Sequence, residues 1–468
     1  MYRISSDKLK EECGVFGIYS KSIEDISQRI YFGLISLQHR GQESAGIAVC
    51  KDKRMNYYKE MGLVREVFNE KILKRLEGNI GIGHVRYSTT GDSHVINAQP
   101  LVVQYIGGSI ALAHNGNLIN APKIRKEMEK QGYIFQTSID TEVIATLIAK
   151  NYSYGLEESL IRTMKSIKGA YALNLIYEDK LIGVRDPNGL RPLAIGKLDD
   201  GYVLSSESCA FNVIGAEYIR DVEPGEIVII DDNGINSITF SNEKKKALCS
   251  FEFVYFSRPD SILDGRSVYK SRIEAGKILS KEAPVEADLI MSVPDSGTLA
   301  AIGYSEESGI PFREGLIKNK YLGRSFIEPS QDMRELLVKL KLSVLRENVE
   351  GKRIILVDDS IVRGTTSKKI ISMLKKAGAK EIHVRVSSPP VKYSCYFGID
   401  TPERKHLIAS EYSLEEIRQR IACDSIAFLS EEGLIKSIGL KDNICTACFK
   451  GDYPMEVPDT LCKFSMEK

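Results

Sequence analysis

RIILVDDSIVRGTTSKK, Arg353 to Lys369, decides how the second half of the chain is read. Its apolar run, Ile354 to Val357, ends in two adjacent carboxylates, Asp358 and Asp359. A short loop with Gly364, Thr365, Thr366 and Ser367 follows. Ile370, Ile371, Met373 and Leu374 then recur at helical spacing, with Gly378 just beyond. EIHVRV, Glu381 to Val386, alternates apolar with polar residues and reads as a second strand. The order is strand, acidic pair, hydroxyl-rich loop, helix, strand. NH groups at a helix start bind anions, and hydroxyls beside them add donors. Carboxylates just before such a loop suit sugar hydroxyls or a magnesium ion. A phosphate site next to a sugar site suggests a ribose phosphate ligand.

This segment resembles the ribose-phosphate loop of type I phosphoribosyltransferases. Its surroundings fit an α/β domain. ADLIMSVPDSG, Ala287 to Gly297, reads as a strand ending in an acidic loop. A helical stretch follows from Thr298, then a strand around Glu314 to Ile317. KALCSFEFVYFSRPDS, Lys246 to Ser261, is aromatic and apolar before it turns polar at Arg258. A mainly parallel sheet follows from this order. Ligands of such sheets sit at the carboxyl ends of the strands, where Asp295 and Asp358 fall.

Bulk properties exclude several classes. The chain has 468 residues, enough for two or three domains with full cores. Lys and Arg number 64 and Asp and Glu 63, so no general attraction to nucleic acid or acidic membranes is expected. No apolar run approaches a membrane span. The opening MYRISSDKLKEE lacks the apolar stretch of a secretory signal, which suggests a soluble cytoplasmic protein. Nine cysteines in so long a chain do not form a secreted disulfide pattern.

The first half alternates short apolar segments with turn signals. CGVFGIYS, Cys13 to Ser20, reads as a strand, and Ile26, Ile30, Leu34 and Leu37 place a helix over Ile23 to Gln38. GSIALAHNGN, Gly108 to Asn117, is a strand running into a polar turn. Val143, Ile144, Leu147 and Ile148 have helical spacing, with Asp140 near that helix's start. GAYALNLIY, KLIGVRD, GYVLSSES and GEIVIID read as successive strands. The pattern predicts stacked α and β layers.

Cys13, LQHRGQESAG (Leu37 to Gly46), GHVRYSTTG (Gly83 to Gly91) and HNGN (His114 to Asn117) together resemble glutamine amidotransferases of the N-terminal-nucleophile class. The resemblance implies removal of residues 1–12 as a propeptide, leaving Cys13 first in a glutaminase domain spanning 13–243. An α-amine has a pKa of about 7.7 to 8.0, so part of it is neutral and can take the thiol proton. The family pattern assigns the oxyanion donors to the Asn115 side chain and the Gly116 NH. It assigns the glutamine α-carboxylate to Arg86 and the α-ammonium to Asp140.

Both halves together resemble the amidophosphoribosyltransferases, glutamine-dependent pentosyltransferases at the entry to purine synthesis. The resemblance implies glutamine and phosphoribosyl diphosphate as substrates, 5-phosphoribosylamine as product and purine nucleotides as feedback inhibitors. A homo-oligomer, a tetramer in this family, is also implied. The transferase domain would span 244–468. Asp358 and Asp359 would contact ribose and magnesium, with Ser296 of the PDSG turn at the metal site. Gly364, Thr365, Thr366 and Ser367 would cradle the 5-phosphate. Lys320 and Arg324, in NKYLGRSFIEPSQDMR, would meet diphosphate, with Lys341 and Arg353 as further candidates. A hexosamine-phosphate synthase would share the first half but carry an isomerase module in place of the Asp358 loop. A nucleotide sensor on a transferase fold would have no use for Cys13, Arg86 and Asn115.

Cys445 and Cys448 form a C-x-x-C pair. By itself the pair fits a redox couple, two core cysteines or a zinc site. The cluster-containing branch of the same family places further ligands where Cys249 and Cys395 stand. That resemblance implies a 4Fe-4S cluster on Cys249, Cys395, Cys445 and Cys448. Cys50, Cys209, Cys423 and Cys462 match no ligand position.

Overall fold

The computed structural model describes residues 13–22, 25–87, 91–241, 245–319, 342–458 and 466. The leader 1–12 and the 243/244 boundary lie outside these residues.

The first half forms two stacked antiparallel sheets, of seven and six strands. In the first, Gly14–Ser20 lies between Ile80–Arg86 and Gly201–Ser205. In the second, Gly108–Leu118 pairs with Gly169–Tyr177, which pairs with Lys180–Arg185. Val15, Ala48 and Ile82 of one sheet meet Ala113, Ala172 and Val228 of the other. Ile26–Ser36 covers the outer face of the first sheet through Ile30 and Leu34. Asp140–Lys150 and Leu156–Ser166 cover the second. Burial on both faces explains why these strands read as apolar runs rather than alternations: in GAYALNLIY every residue but Tyr177 is buried. The expected helix over Ile23 to Gln38 is shorter, and Gly33 lets it sit against Phe16, whose ring an added Cβ would meet at 2.6 Å.

The second half carries a parallel sheet in the order Leu289–Ser292, Arg353–Asp358, Glu381–Val386, Ser425–Phe428. Val268–Glu282 and Thr298–Ser308 pack on one face. Thr365–Lys376 and Leu414–Ile421 pack on the other. The expected strand near Glu314 is Leu316–Lys318, paired with Leu342–Val344 outside this sheet. EIHVRV departs from its half-exposed alternation. His383 and Arg385 are buried, and Arg385 Nε donates to the Ala283 carbonyl at 2.8 Å. The polar side of this strand faces helix ends that accept its donors. The aromatic KALCSFEFVYF stretch contributes only the two-residue strand Leu248–Cys249 and a wide helical turn, Glu252–Phe256.

Val268–Glu282 and Thr298–Ser308 cross at two glycines. A Cβ on Gly276 would lie 2.0 Å from the Ala300 carbonyl, and one on Gly303 2.0 Å from that of Ile273. Alanine gains about 1 kcal/mol of helix propensity over glycine. Overpacking a tight contact costs about 1–3 kcal/mol, and backbone atoms on both sides leave no side chain to yield. Gly276→Ala and Gly303→Ala are therefore each expected to lower the thermal midpoint, read by differential scanning fluorimetry.

Candidate active sites and a four-cysteine cavity

Cys13 precedes the Gly14–Ser20 strand, and pairing of Gly14 with Val85 sets it beside Arg86 and Tyr87. The thiol lies 3.3 Å from the Tyr87 carbonyl and is buried. Burial pushes it up to about 11, against the Tyr87 contact and the Arg86 charge. A group held so high does not ionise unaided near neutrality, so a nucleophile here needs a base. Arg86 is buried, and its Nη1 donates to the Asp92 carbonyl at 3.1 Å.

Asp140 opens the Asp140–Lys150 helix, where the dipole favours a carboxylate. Leu118 NH donates to its Oδ2 at 2.9 Å, and His114 Nδ1 is 3.4 Å from Oδ1. Burial acts to raise the Asp140 carboxyl, but His114 and the NH groups of Leu118 and Thr141 together hold it below its usual range. Asp140 is thus a buried carboxylate prepared for a cation.

Asn115 is 1% exposed, and neither side-chain Oδ1 nor Nδ2 has a hydrogen-bond partner among the described residues. An unsatisfied buried amide is rare and marks a place where another molecule completes the bonding. Gly116 follows with φ +142°, and a Cβ there would meet the Ala170 carbonyl at 2.0 Å. His84 Nε2 lies 3.0 Å from the His114 carbonyl, which joins the two sheets next to Asn115. Burial drives His84 down to about 3, so it stays neutral and donates from Nε2.

At the second site, Asp358 ends the Arg353–Asp358 strand and Asp359 begins the loop. Both are buried, and Asp359 NH donates to Asp358 Oδ1 at 2.9 Å. Ser296 Oγ donates to Asp359 Oδ1 at 2.5 Å and Ser360 Oγ to Oδ2 at 2.8 Å. The structure therefore brings the PDSG turn and the acidic pair together through Ser296 and Asp359. Gly364 precedes the Thr365–Lys376 helix with φ +78°. The first turn holds Thr365, Thr366 and Ser367, whose NH groups have no intrahelical acceptor. Lys320, Arg324 and Lys341 lie outside the described residues. Arg353 does not join the acidic pair. It starts the strand, roughly 16 Å from Asp358 at the usual rise, and its Nη2 binds Asp288 at 3.0 Å.

Cys249, Cys395, Cys445 and Cys448 line one small cavity with Arg191, Phe397 and Tyr453. All four are free thiols. Cys249 and Cys445 are register partners in a short parallel pair of strands. Burial and then the neighbouring thiolates push the Cys448 thiol well above its ordinary value, and burial takes Cys445 to about 12. Among the described residues no three His, Cys, Asp or Glu side chains group closely enough to hold a single metal ion. A cubane spreads its four thiolates over four irons, so it does not need them to converge on one point.

The first domain meets the segment that follows Cys395. Asn117 Nδ2 donates to the Tyr396 carbonyl at 2.9 Å, and Arg191 Nε to that of Phe397 at 3.0 Å. Gly398 lies against Gly116, and a Cβ on it would be 3.3 Å from the Gly116 Cα. Sequence reasoning missed His84 and Arg191; His84 lies inside the quoted GHVRYSTTG motif, but no role followed from it.

A glutamine amidotransferase domain profile matches residues 84–213, and a phosphoribosyl transferase domain profile matches 260–392. The amidophosphoribosyltransferase of Bacillus subtilis is 51% identical over 96% of this chain and 95% of its own length. That of Archaeoglobus fulgidus is 51% identical over 96% of this chain and all of its own. A solved structure described as the B. subtilis glutamine phosphoribosylpyrophosphate amidotransferase complexed with ADP and GMP superposes with TM-score 0.91 at 50% identity, covering 96% of this chain and 99% of that one. Matched by both domain profiles and half identical to these relatives along almost its whole length, the chain belongs to the amidophosphoribosyltransferases.

Proposed function

We propose that the protein hydrolyses glutamine in the first domain, residues 13–243. The ammonia then displaces diphosphate from 5-phosphoribosyl 1-diphosphate in the second, residues 244–468. The observation that carries this reading is the buried, unpartnered Asn115 amide on the same chain as a Ser296–Asp359 pair beside a phosphate-type helix start.

Loss of residues 1–12 frees the Cys13 amine. That amine takes the thiol proton as sulfur attacks the glutamine amide carbon. The oxyanion accepts from the Asn115 amide and the Gly116 NH. Arg86 binds the substrate carboxylate with two parallel hydrogen bonds, and Asp140 binds the ammonium. The C–N bond breaks, the amine proton passes to the leaving nitrogen, and ammonia departs. Water then attacks the thioester to release glutamate and restore the thiol. At the second site ammonia forms the new C–N bond at the anomeric carbon as the C–O bond to diphosphate breaks. Asp358 and Asp359 hold the ribose side, and Gly364 to Ser367 hold the 5-phosphate. Lys320 and Arg324 neutralise diphosphate.

Two carboxylates and a hydroxyl are a fitting donor set for magnesium, which keeps waters and substrate phosphates as its other ligands. Asp358, Asp359 and Ser296 would hold it, and it would neutralise the departing charge. Four free thiols lining one cavity fit a 4Fe-4S cluster, held by Cys249, Cys395, Cys445 and Cys448. It would tie the chain's end to the start of the transferase domain. Among the described residues no helix is long and apolar enough to cross a membrane. A cytoplasmic homo-oligomer inhibited by purine nucleotides completes the proposal, and the ADP and GMP named for the B. subtilis structure support the inhibition.

Three outcomes test it. Cys13→Ala is expected to abolish glutamine-dependent synthesis and keep synthesis from added ammonia, while intact mass places the mature start at Cys13. Full glutamine activity with residues 1–12 attached would rule out the free amine. Asp358→Asn with Asp359→Asn is expected to lower synthesis from either nitrogen source by at least about a hundredfold, since charge stabilisation is commonly the largest catalytic contribution; unchanged ammonia-dependent rates would misplace the site. Anaerobically purified protein is expected to be brown, with about four irons and four sulfides per chain. Stoichiometric zinc in colourless protein would refute the cluster.

A further inference from the structure

Arg40 is buried in the loop after the Ile26–Ser36 helix, at 1% exposure. Its Nε donates to the carbonyl of Cys13 at 3.1 Å. Its Nη1 donates to Glu207 Oε1 at 2.6 Å and to Glu252 Oε2 at 2.9 Å, and its Nη2 to Glu252 Oε1 at 2.7 Å. Glu207 follows the Gly201–Ser205 strand of the first domain, whereas Glu252 opens the Glu252–Phe256 turn of the second. The other oxygen of Glu207 accepts from Arg258 NH at 2.9 Å and from Ser261 Oγ at 2.7 Å, both in the second half of the chain. His39 Nε2 lies 2.7 Å from Glu207 Oε1. Arg191 Nη1 stands 3.7 Å from Glu252 Oε1, and Ser257 Oγ donates to Glu252 Oε2 at 2.5 Å.

We propose that Arg40 is the positioning residue of the nucleophile, and that its grip on the Cys13 carbonyl is referenced through Glu252 to the transferase domain. The inference rests on the reading of Cys13 as nucleophile. Once the leader is gone, Cys13 is a chain end and has no covalent restraint on its amine side. Its carbonyl is then what fixes the thiol, and displacement of about 1 Å can cost about a hundredfold in rate. A guanidinium held on two carboxylates by a planar fork is a rigid support, which an ammonium would not reproduce. Buried ion pairs are weak contributors to stability but hold geometry well.

The support continues toward the second site. Arg272 Nε donates to the Phe253 carbonyl at 2.7 Å and its Nη2 to that of Ser257 at 2.7 Å, so it clamps the turn that carries Glu252. The charge acting most strongly on Arg272 is that of Asp359. Arg272, the Phe253–Ser257 backbone, Glu252, Arg40 and the Cys13 carbonyl thus form one contiguous series. A series of contacts is not itself a coupling, so the test measures the coupling.

Full-length processed enzyme is assayed as Arg40→Lys and as Glu252→Gln. Arg40→Lys is expected to lower the glutamine-dependent kcat at least about tenfold. Its glutamine KM stays within about threefold because Arg86 and Asp140 are untouched, and ammonia-dependent synthesis stays within about twofold. Glutamine hydrolysis by the parent enzyme is measured with and without phosphoribosyl diphosphate, and Glu252→Gln is expected to reduce the difference; no difference in the parent would overturn the link through Glu252. Parallel loss of glutamine-dependent and ammonia-dependent synthesis would make Arg40 merely structural and overturn the proposal. So would a parental glutamine kcat in Arg40→Lys. Should Arg40→Lys fail to fold, an unaltered phosphoribosyl diphosphate response in Glu252→Gln is sufficient to overturn it. Glutamine-dependent activity surviving Cys13→Ala would instead sink the reading of the nucleophile and is scored separately.

Discussion

Arg191 donates to the Phe397 carbonyl, and Gly398 stands against Gly116. This backbone-to-backbone contact sets how closely the two domains approach. Neither glycine tolerates a side chain there: Gly116 already meets Ala170 on its other flank, and Gly398 meets Arg191. Because Asn115 and Gly116 lie on the contacting strand, the geometry of the first site depends on the segment that starts at Cys395. Asn117 extends the same seam through Tyr396. The Gly108–Leu118 strand is therefore as much part of the domain boundary as of its own sheet.

A common electrostatic logic governs both sites. Each holds a buried carboxylate that accepts hydrogen bonds from its neighbours: Asp140 from the Leu118 NH, and Asp359 from the Ser296 and Ser360 hydroxyls. Each also uses the start of a helix, Asp140–Lys150 in one case and Thr365–Lys376 in the other. The helix ends supply partial positive charge without a titrating group. The first helix favours its own carboxylate, and the second begins with Thr365, Thr366 and Ser367 just after Gly364. Sheets covered on both faces give these ends a rigid base, since strand positions fix the side chains to either side.

Much of this was legible in the sequence because the acidic pair, the hydroxyl loop and the nucleophile motif are local. Periodicity located the Arg353–Asp358 strand and the helix after it, and the PDSG turn was already suspected of sharing the metal site. What the sequence hid is long-range. Glu207 and Glu252 are charged residues with no local pattern, and only the fold brings them to Arg40, 167 and 212 positions away in the chain. EIHVRV was read correctly as a strand, but nothing local showed that Arg385 would donate to the Ala283 carbonyl across the domain. Arg353 looked like a phosphate ligand from its place beside the motif, but a strand puts its two ends on opposite edges of the sheet.

The unsatisfied Asn115 amide has an energetic meaning for the resting enzyme. A buried polar group without a partner costs about 1–3 kcal/mol, and Asn115 has two such atoms. On the proposed reading, the developing oxyanion accepts from Asn115 Nδ2 more strongly than glutamine's neutral carbonyl does, so the cost on that one atom is relieved most at the reaction's summit, which raises turnover without tightening the grip on substrate.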